Sequence, residues 1–146
     1  MISAIVKDAD HTMYSRLLGK VLEAKEYLYN ARDRFGAIEK GNLEGLLSVN
    51  LDDVNHQIEY KAYFADGRLC SVSKECYDDE SRLTDVTMYG QDGQIRSRNR
   101  MLYSTEGNLL EEQFLGEDGQ ILTRKIHQYD KGLQLIHIQY VDSNGI

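Results

Sequence analysis

The chain has 146 residues, 28% of them charged and 41% hydrophobic, with a net charge of -7, which is enough for one domain that buries its own core without staples. No apolar run approaches a membrane span, and the opening Met1-Ile2-Ser3-Ala4-Ile5-Val6-Lys7-Asp8 is too short in apolar residues for a signal peptide, so the cytoplasm is the expected compartment. Residues 1–40 carry seven Lys/Arg against six Asp/Glu and residues 41–146 ten against eighteen; the acidic part disfavours nucleic acid and anionic membranes as partners and favours basic ones.

The first element in chain order is an expected helix. Met13, Leu17, Val21, Ala24, Leu28, Ala31 and Phe35 are spaced 4, 4, 3, 4, 3 and 4, which lays one apolar stripe on a helix. Asp8 or Asp10 can cap its start and Gly36 can end it. Gly19 disfavours a helix interior, and 20–29 also reads as a strand after a turn at Leu18-Gly19. The expected division is a helical segment over 1–40 and β-hairpin repeats over 41–146, within a single domain 1–146.

The repeats have a period of 26. Asp66-Gly67, Asp92-Gly93, Asp118-Gly119 and Asn144-Gly145 are each 26 apart, as are Tyr77, Tyr103 and Tyr129, and Leu83, Leu109 and Leu135. Each unit is two strands and two turns, and its Asp-Gly, Glu-Gly and Asn-Gly pairs supply the positive φ that tight hairpins need. Proline is absent, as an uninterrupted hydrogen-bond ladder requires. Strict alternation places Val86, Met88, Leu102, Leu110, Phe114, Leu122, Ile126, Ile136, Ile138 and Tyr140 on a buried face, with a polar band bordered by aliphatic and tyrosine rows opposite. The expected fold is α+β, mainly β: an N-terminal helix packed on a meandering antiparallel sheet, two layers being the minimum that buries both.

At Tyr77-Asp78-Asp79-Glu80-Ser81-Arg82-Leu83-Thr84-Asp85-Val86-Thr87 and at Tyr129-Asp130-Lys131-Gly132 the chain resembles the tyrosine-aspartate (YD, or Rhs) repeats of bacterial polymorphic toxins. It is similar also to the MORN-variant-type repeats of bacterial antitoxin and immunity proteins. The resemblance covers roughly 57–146. Tyr103 departs from it, being followed by Ser104, and Glu80-Ser81 lacks the glycine. Rhs shells enclose a toxin with many repeats, and three or four cannot close a cage. A short acidic array therefore implies an immunity protein or antitoxin that covers a toxin's surface.

The expected partner-binding residues are acids at the turns with neighbouring tyrosines: Asp66, Tyr89, Asp92, Tyr103, Glu106, Glu117, Asp118 and Tyr129. Turn acids also arise from turn chemistry alone, and ring pairs also cap hairpins. If residues around the turn at 130–132 pair with numbers summing to 264, His127 faces His137 and Tyr129 faces Leu135. By the same arithmetic Glu111 faces Lys125, and Glu112 faces Arg100 on the strand where Arg96, Arg98 and Arg100 share a face. His127 and His137 are then weak metal candidates, a pH-sensitive pair or surface polarity.

Cys70 and Cys76, six apart on one strand, are beyond disulfide reach and suit a reducing compartment. No cofactor motif is present. Adjacent carboxylates such as Asp52-Asp53 and Glu111-Glu112 point to opposite faces of a strand and cannot share one substrate bond, so a non-enzymatic function is expected. The expected partner is a protein, a toxin with a basic surface. Self-association through the C-terminal edge is also open, because the chain stops on a turn at Asn144-Gly145-Ile146. The alternative function is a structural fragment of a larger YD-repeat shell or surface protein. Glycan binding is weaker, since the chain has no tryptophan.

Overall fold

The computed structural model describes residues 23–143. Among them all regular structure is strand: β1 (Glu23–Arg34), β2 (Ala37–Asp52), β3 (Gln57–Phe64), β4 (Leu69–Tyr77), β5 (Leu83–Gly90), β6 (Ile95–Tyr103), β7 (Leu109–Leu115), β8 (Ile121–Tyr129) and β9 (Leu135–Asp142). They form one antiparallel sheet in chain order, and each strand touches only its neighbours in sequence. The described residues are thus a single layer.

The expected α+β fold with an N-terminal helix is overturned, and the sheet is all-β. Met13, Leu17 and Val21 lie outside the described residues, but 23–34 is β1, paired antiparallel with β2. The physical reason lies in the spacing. A step of four keeps a residue on the same face of a strand as well as of a helix, whereas the step of three from Leu28 to Ala31 is what argued for helix. In the strand that step simply puts Leu28 and Ala31 on opposite faces. The register shifts between Leu28 and Tyr29 and between Tyr29 and Ala31 place their extra residues on β2, so pairing with β2 overrides the single apolar stripe. Gly36 ends no helix. It follows Phe35 in a two-residue turn with φ of 83° and 57°, the two positive values that a type I′ hairpin requires.

The 26-residue period is present and divides unequally. Left-handed residues recur at Gly67, Ser81, Gly93, Gly107, Gly119 and Leu133, in alternating steps of 14 and 12. Each closes a turn with a paired set of backbone hydrogen bonds, such as Gly90 N–H to Gln94 O at 2.9 Å and Gly93 N–H to Gly90 O at 3.0 Å. Turns after odd-numbered strands form one rim of the sheet and turns after even-numbered strands the other. On the first rim the third turn residue caps: Asp66, Asp92 and Asp118 accept the N–H of Arg68, Gln94 and Gln120. On the second rim the first residue caps: Asp78 accepts from Arg82, Ser104 from Asn108 and Asp130 from Gln134. That is the physical content of the tyrosine-aspartate pair, and Ser104 does with a hydroxyl what Asp78 and Asp130 do with a carboxylate.

Every hairpin from β3–β4 onward carries one extra residue just inside the turn. Tyr129 pairs with Leu135 as expected, but the next pairs are Gln128 with His137 and His127 with Ile138. The same shift pairs Glu112 with Lys125 and Arg100 with Gln113. Leu110, Leu122 and Ile136 are the inserted residues of their strands, and they are 41%, 53% and 63% exposed. The expected buried face is corrected accordingly. One face, here the tyrosine face, holds Val49, Ile58, Tyr60, Glu75, Tyr77, Val86, Met88, Met101, Tyr103, Glu112, Phe114, Lys125, His127, Tyr129, Ile138 and Tyr140. Leu102 and Ile126 belong to the opposite, ion-pair face, opposite Glu111.

Buried apolar side chains are few among the described residues: Val49 and Ile58 on the tyrosine face, and Leu115 and Val141 on the other. Large apolar side chains remain open on the tyrosine face, including Met88 at 46% and Tyr140 at 68%.

Candidate functional site

The ion-pair face neutralises itself. Glu59, Asp85 and Glu111 stand 26 apart, and each finds cations on its own or the next strand. Glu59 takes Lys61 and Lys74, and Asp85 takes Arg98 at 2.8 Å with Arg100 at 3.9 Å. Glu111 lies 3.9 Å from Arg124. Arg96 leaves this group, because it is the bulge residue of β6 and reaches back to Asp92 at 2.6 Å. The expected shared face for three arginines opposite Glu112 is therefore corrected: Arg98 and Arg100 belong to Asp85.

The tyrosine face is organised by hydroxyls. Tyr103 donates to Leu83 O at 2.8 Å and Tyr129 donates to Leu109 O at 2.9 Å, so each tyrosine ties its hairpin to the preceding hairpin on the same rim. Burial, and then the charge of Asp78, raise the Tyr103 phenol above its ordinary value. Between the rims lie two polar clusters. In one, Lys125 Nζ and His127 Nε2 lie 2.8 and 2.9 Å from Glu112 Oε1. Burial pushes the Glu112 carboxyl up, but hydrogen bonds from Lys125 and His127 outweigh it and hold it below the usual value. In the other, Tyr60 and Tyr77 both donate to Glu75 Oε2, at 3.2 and 2.6 Å. Burial, followed by the charge and hydrogen bond of Glu75, pushes the Tyr60 phenol up.

The residues expected to bind a partner do not converge. Asp66, Asp92, Glu117 and Asp118 lie on the first rim, where Tyr89 ends β5 on the ion-pair face with Lys74 above its ring at 5.9 Å. Tyr103 and Tyr129 belong to the second rim and the tyrosine face, and Glu106 to a turn on that rim. Asp66 is ion-paired to Arg68 at 2.7 Å, and Asp92 to Arg96, so these carboxylates are engaged within their own turns. His127 and His137 occupy opposite faces, which removes the metal pair, and among the described residues no group of three His, Cys, Asp or Glu is placed to hold a metal. Cys70 and Cys76 are free; burial, and then Asp85, raise the Cys76 thiol.

Glu75, Tyr60 and Glu59 were not singled out from the sequence, and Asp85 and Glu111 were not recognised as forming a row with Glu59. The signal for the row was the same period of 26 that marked the turns. Among the described residues no helix is long and apolar enough to cross a membrane. No protein-family model matches the chain, and no curated protein matches it.

Proposed function

We propose that this chain is a non-enzymatic protein-binding module, and specifically an immunity protein or antitoxin that covers a toxin with a basic surface. The observation that supports binding is the open tyrosine face: a single-layer sheet with only four buried apolar side chains among its described residues, where a folded domain ordinarily has two layers around one core. The antitoxin role rests on the resemblance to tyrosine-aspartate and MORN-variant repeats, and the cytoplasm as compartment on the free thiols. The net charge of -7 favours a basic partner and a fast, salt-sensitive encounter.

The test is co-expression. A tagged chain is used to capture partners from native lysate at low and at physiological salt. Each captured protein is then expressed alone and together with this chain. One stoichiometric partner that is toxic alone and harmless with the chain supports the proposal. A harmless partner, or self-association alone, overturns it.

One observation favours the alternative, a structural piece of a larger repeat sheet. β9 pairs only with β8 among the described residues, and its run 135–141 carries no Asp, Glu, Lys or Arg. Such an edge lacks the charges that usually block strand addition, and a further strand could continue the meander.

A further inference from the structure

Tyr60, Ser73 and Glu75 stand 52 residues, two full repeats, before Glu112, Lys125 and His127. The pairing confirms the equivalence, since Tyr60 faces Ser73 across β3–β4 and Glu112 faces Lys125 across β7–β8. In the later unit the carboxylate is Glu112, with two cationic partners from its own chain; in the earlier unit a tyrosine, Tyr60, stands at that place and the carboxylate, Glu75, stands at the place of His127. In the earlier unit the place of the lysine is taken by Ser73, too short to reach, and among the described residues no cation lies within ion-pair distance of Glu75. Both phenols bond the same oxygen, Oε2. Among the described residues the other oxygen, Oε1, receives no hydrogen bond, and it is not a buried orphan, since no buried side-chain oxygen or nitrogen among them lacks a partner. The intervening unit has Val86, Asn99 and Met101 at these positions. Glu75 faces Val86, and Ser73 faces Met88, so the carboxylate is walled by apolar and aromatic groups on the open face.

We infer that Glu75, framed by Tyr60 and Tyr77 above the gap left by Ser73, receives a lysine or arginine side chain from the protein partner. The incoming cation takes the place that Lys125 fills internally two repeats later. Its charge meets Oε1, and its stem lies against Met88 and Val86. A cation beside tyrosine rings and a partly desolvated carboxylate gains from both. This deepens the basic-partner reading and rests on it for the identity of the ligand as part of a protein.

The site is tested without the partner. Protein carrying carbon-13-labelled tyrosine rings is titrated with N-acetyl-lysine methylamide and N-acetyl-arginine methylamide, with N-acetyl-norleucine methylamide as the neutral control. Ring signals are assigned with Tyr60→Phe and Tyr77→Phe. Saturable shifts of Tyr60 and Tyr77 with a basic probe only, weakened about tenfold or more by Glu75→Gln and by Ser73→Lys, are expected. Glu75→Gln is nearly isosteric and keeps both phenol bonds, and its fold is checked by circular dichroism. No saturable shift, an equal response to norleucine, an undiminished response in Glu75→Gln, or shifts spread equally over Tyr103 and Tyr129 would overturn the inference. Failure of the co-expression test with success here removes the toxin and keeps the site; the reverse removes the site and keeps the toxin.

Discussion

Replacing Ser81 by glycine is expected to stabilise the protein, and replacing Gly107 by serine to destabilise it by a similar amount. The two residues hold the same place in turns 26 apart, each donating its N–H to the carbonyl three residues back, Asp78 and Ser104, at 2.9 and 3.0 Å. Both are left-handed, with φ of 62° at Ser81 and 87° at Gly107. An L-residue there costs about 1–2 kcal/mol, while glycine loses about 0.5–1 kcal/mol more conformational entropy on folding. The difference leaves a net gain of about 0.5–1 kcal/mol for Ser81→Gly. Space is not the issue, since a Cβ at Gly107 would meet nothing nearer than Arg82 Nη1 at 3.7 Å. Ser81 is exposed, so its removal sacrifices little packing. Urea unfolding followed by circular dichroism reads the change as a shift of midpoint at constant slope. The double variant should return close to the original midpoint. A destabilised Ser81→Gly beside a neutral Gly107→Ser would refute the reasoning, because backbone handedness could not then be the controlling term.

Tyr103→Phe and Tyr129→Phe each remove one hydroxyl-to-carbonyl bond between hairpins, and each should cost about 1 kcal/mol by the same urea measurement. Gly45→Ala should cost about 1–3 kcal/mol, because Gly45 is buried and the added Cβ would lie 2.8 Å from the Tyr63 carbonyl oxygen; a neutral result would show that β3 can yield there. Glu59 is lowered chiefly by its hydrogen bond from Lys61. Glu112 is lowered by Lys125 and His127 against its burial. A carboxyl lowered on folding contributes stability above its unfolded value and loses it as pH falls through the folded one. Stability should therefore decline below the ordinary carboxylate range, about pH 4, and more shallowly in Glu112→Gln; parallel curves for the two proteins would contradict the assignment.

The hairpins were legible because their turns impose a chemistry that repeats. Asp-Gly at 66, 92 and 118 marks where backbone handedness must reverse, and the alternating 14- and 12-residue spans between left-handed positions follow from two rims that cap their turns differently. The faces were not legible in full, since one inserted residue inverts everything beyond it. A trace of that insertion did exist: Leu109-Leu110, Ile121-Leu122 and Leu135-Ile136 each place two aliphatics side by side after a turn, where strict alternation would place one. The sequence of β1 suits a helix because steps of four fit both structures, and pairing with β2 is what makes it a strand. Glu75 escaped notice because its meaning lies in a comparison across 52 residues, between a carboxylate with internal cations and one without. No local pattern around Tyr60 or Ser73 carries that contrast.

Because each strand touches only its sequence neighbours, the sheet behaves as a chain of coupled links. Its length can therefore change in quanta. Removing or duplicating 26 residues restores both rims, both cap types and the parity of every later side chain. A change of 12 or 14 residues would exchange the rims and send each following strand backwards. Gene rearrangement could thus lengthen or shorten this surface by whole units while keeping the chemistry of its ends, and the unit around Glu75 could be gained or lost without redesigning its neighbours.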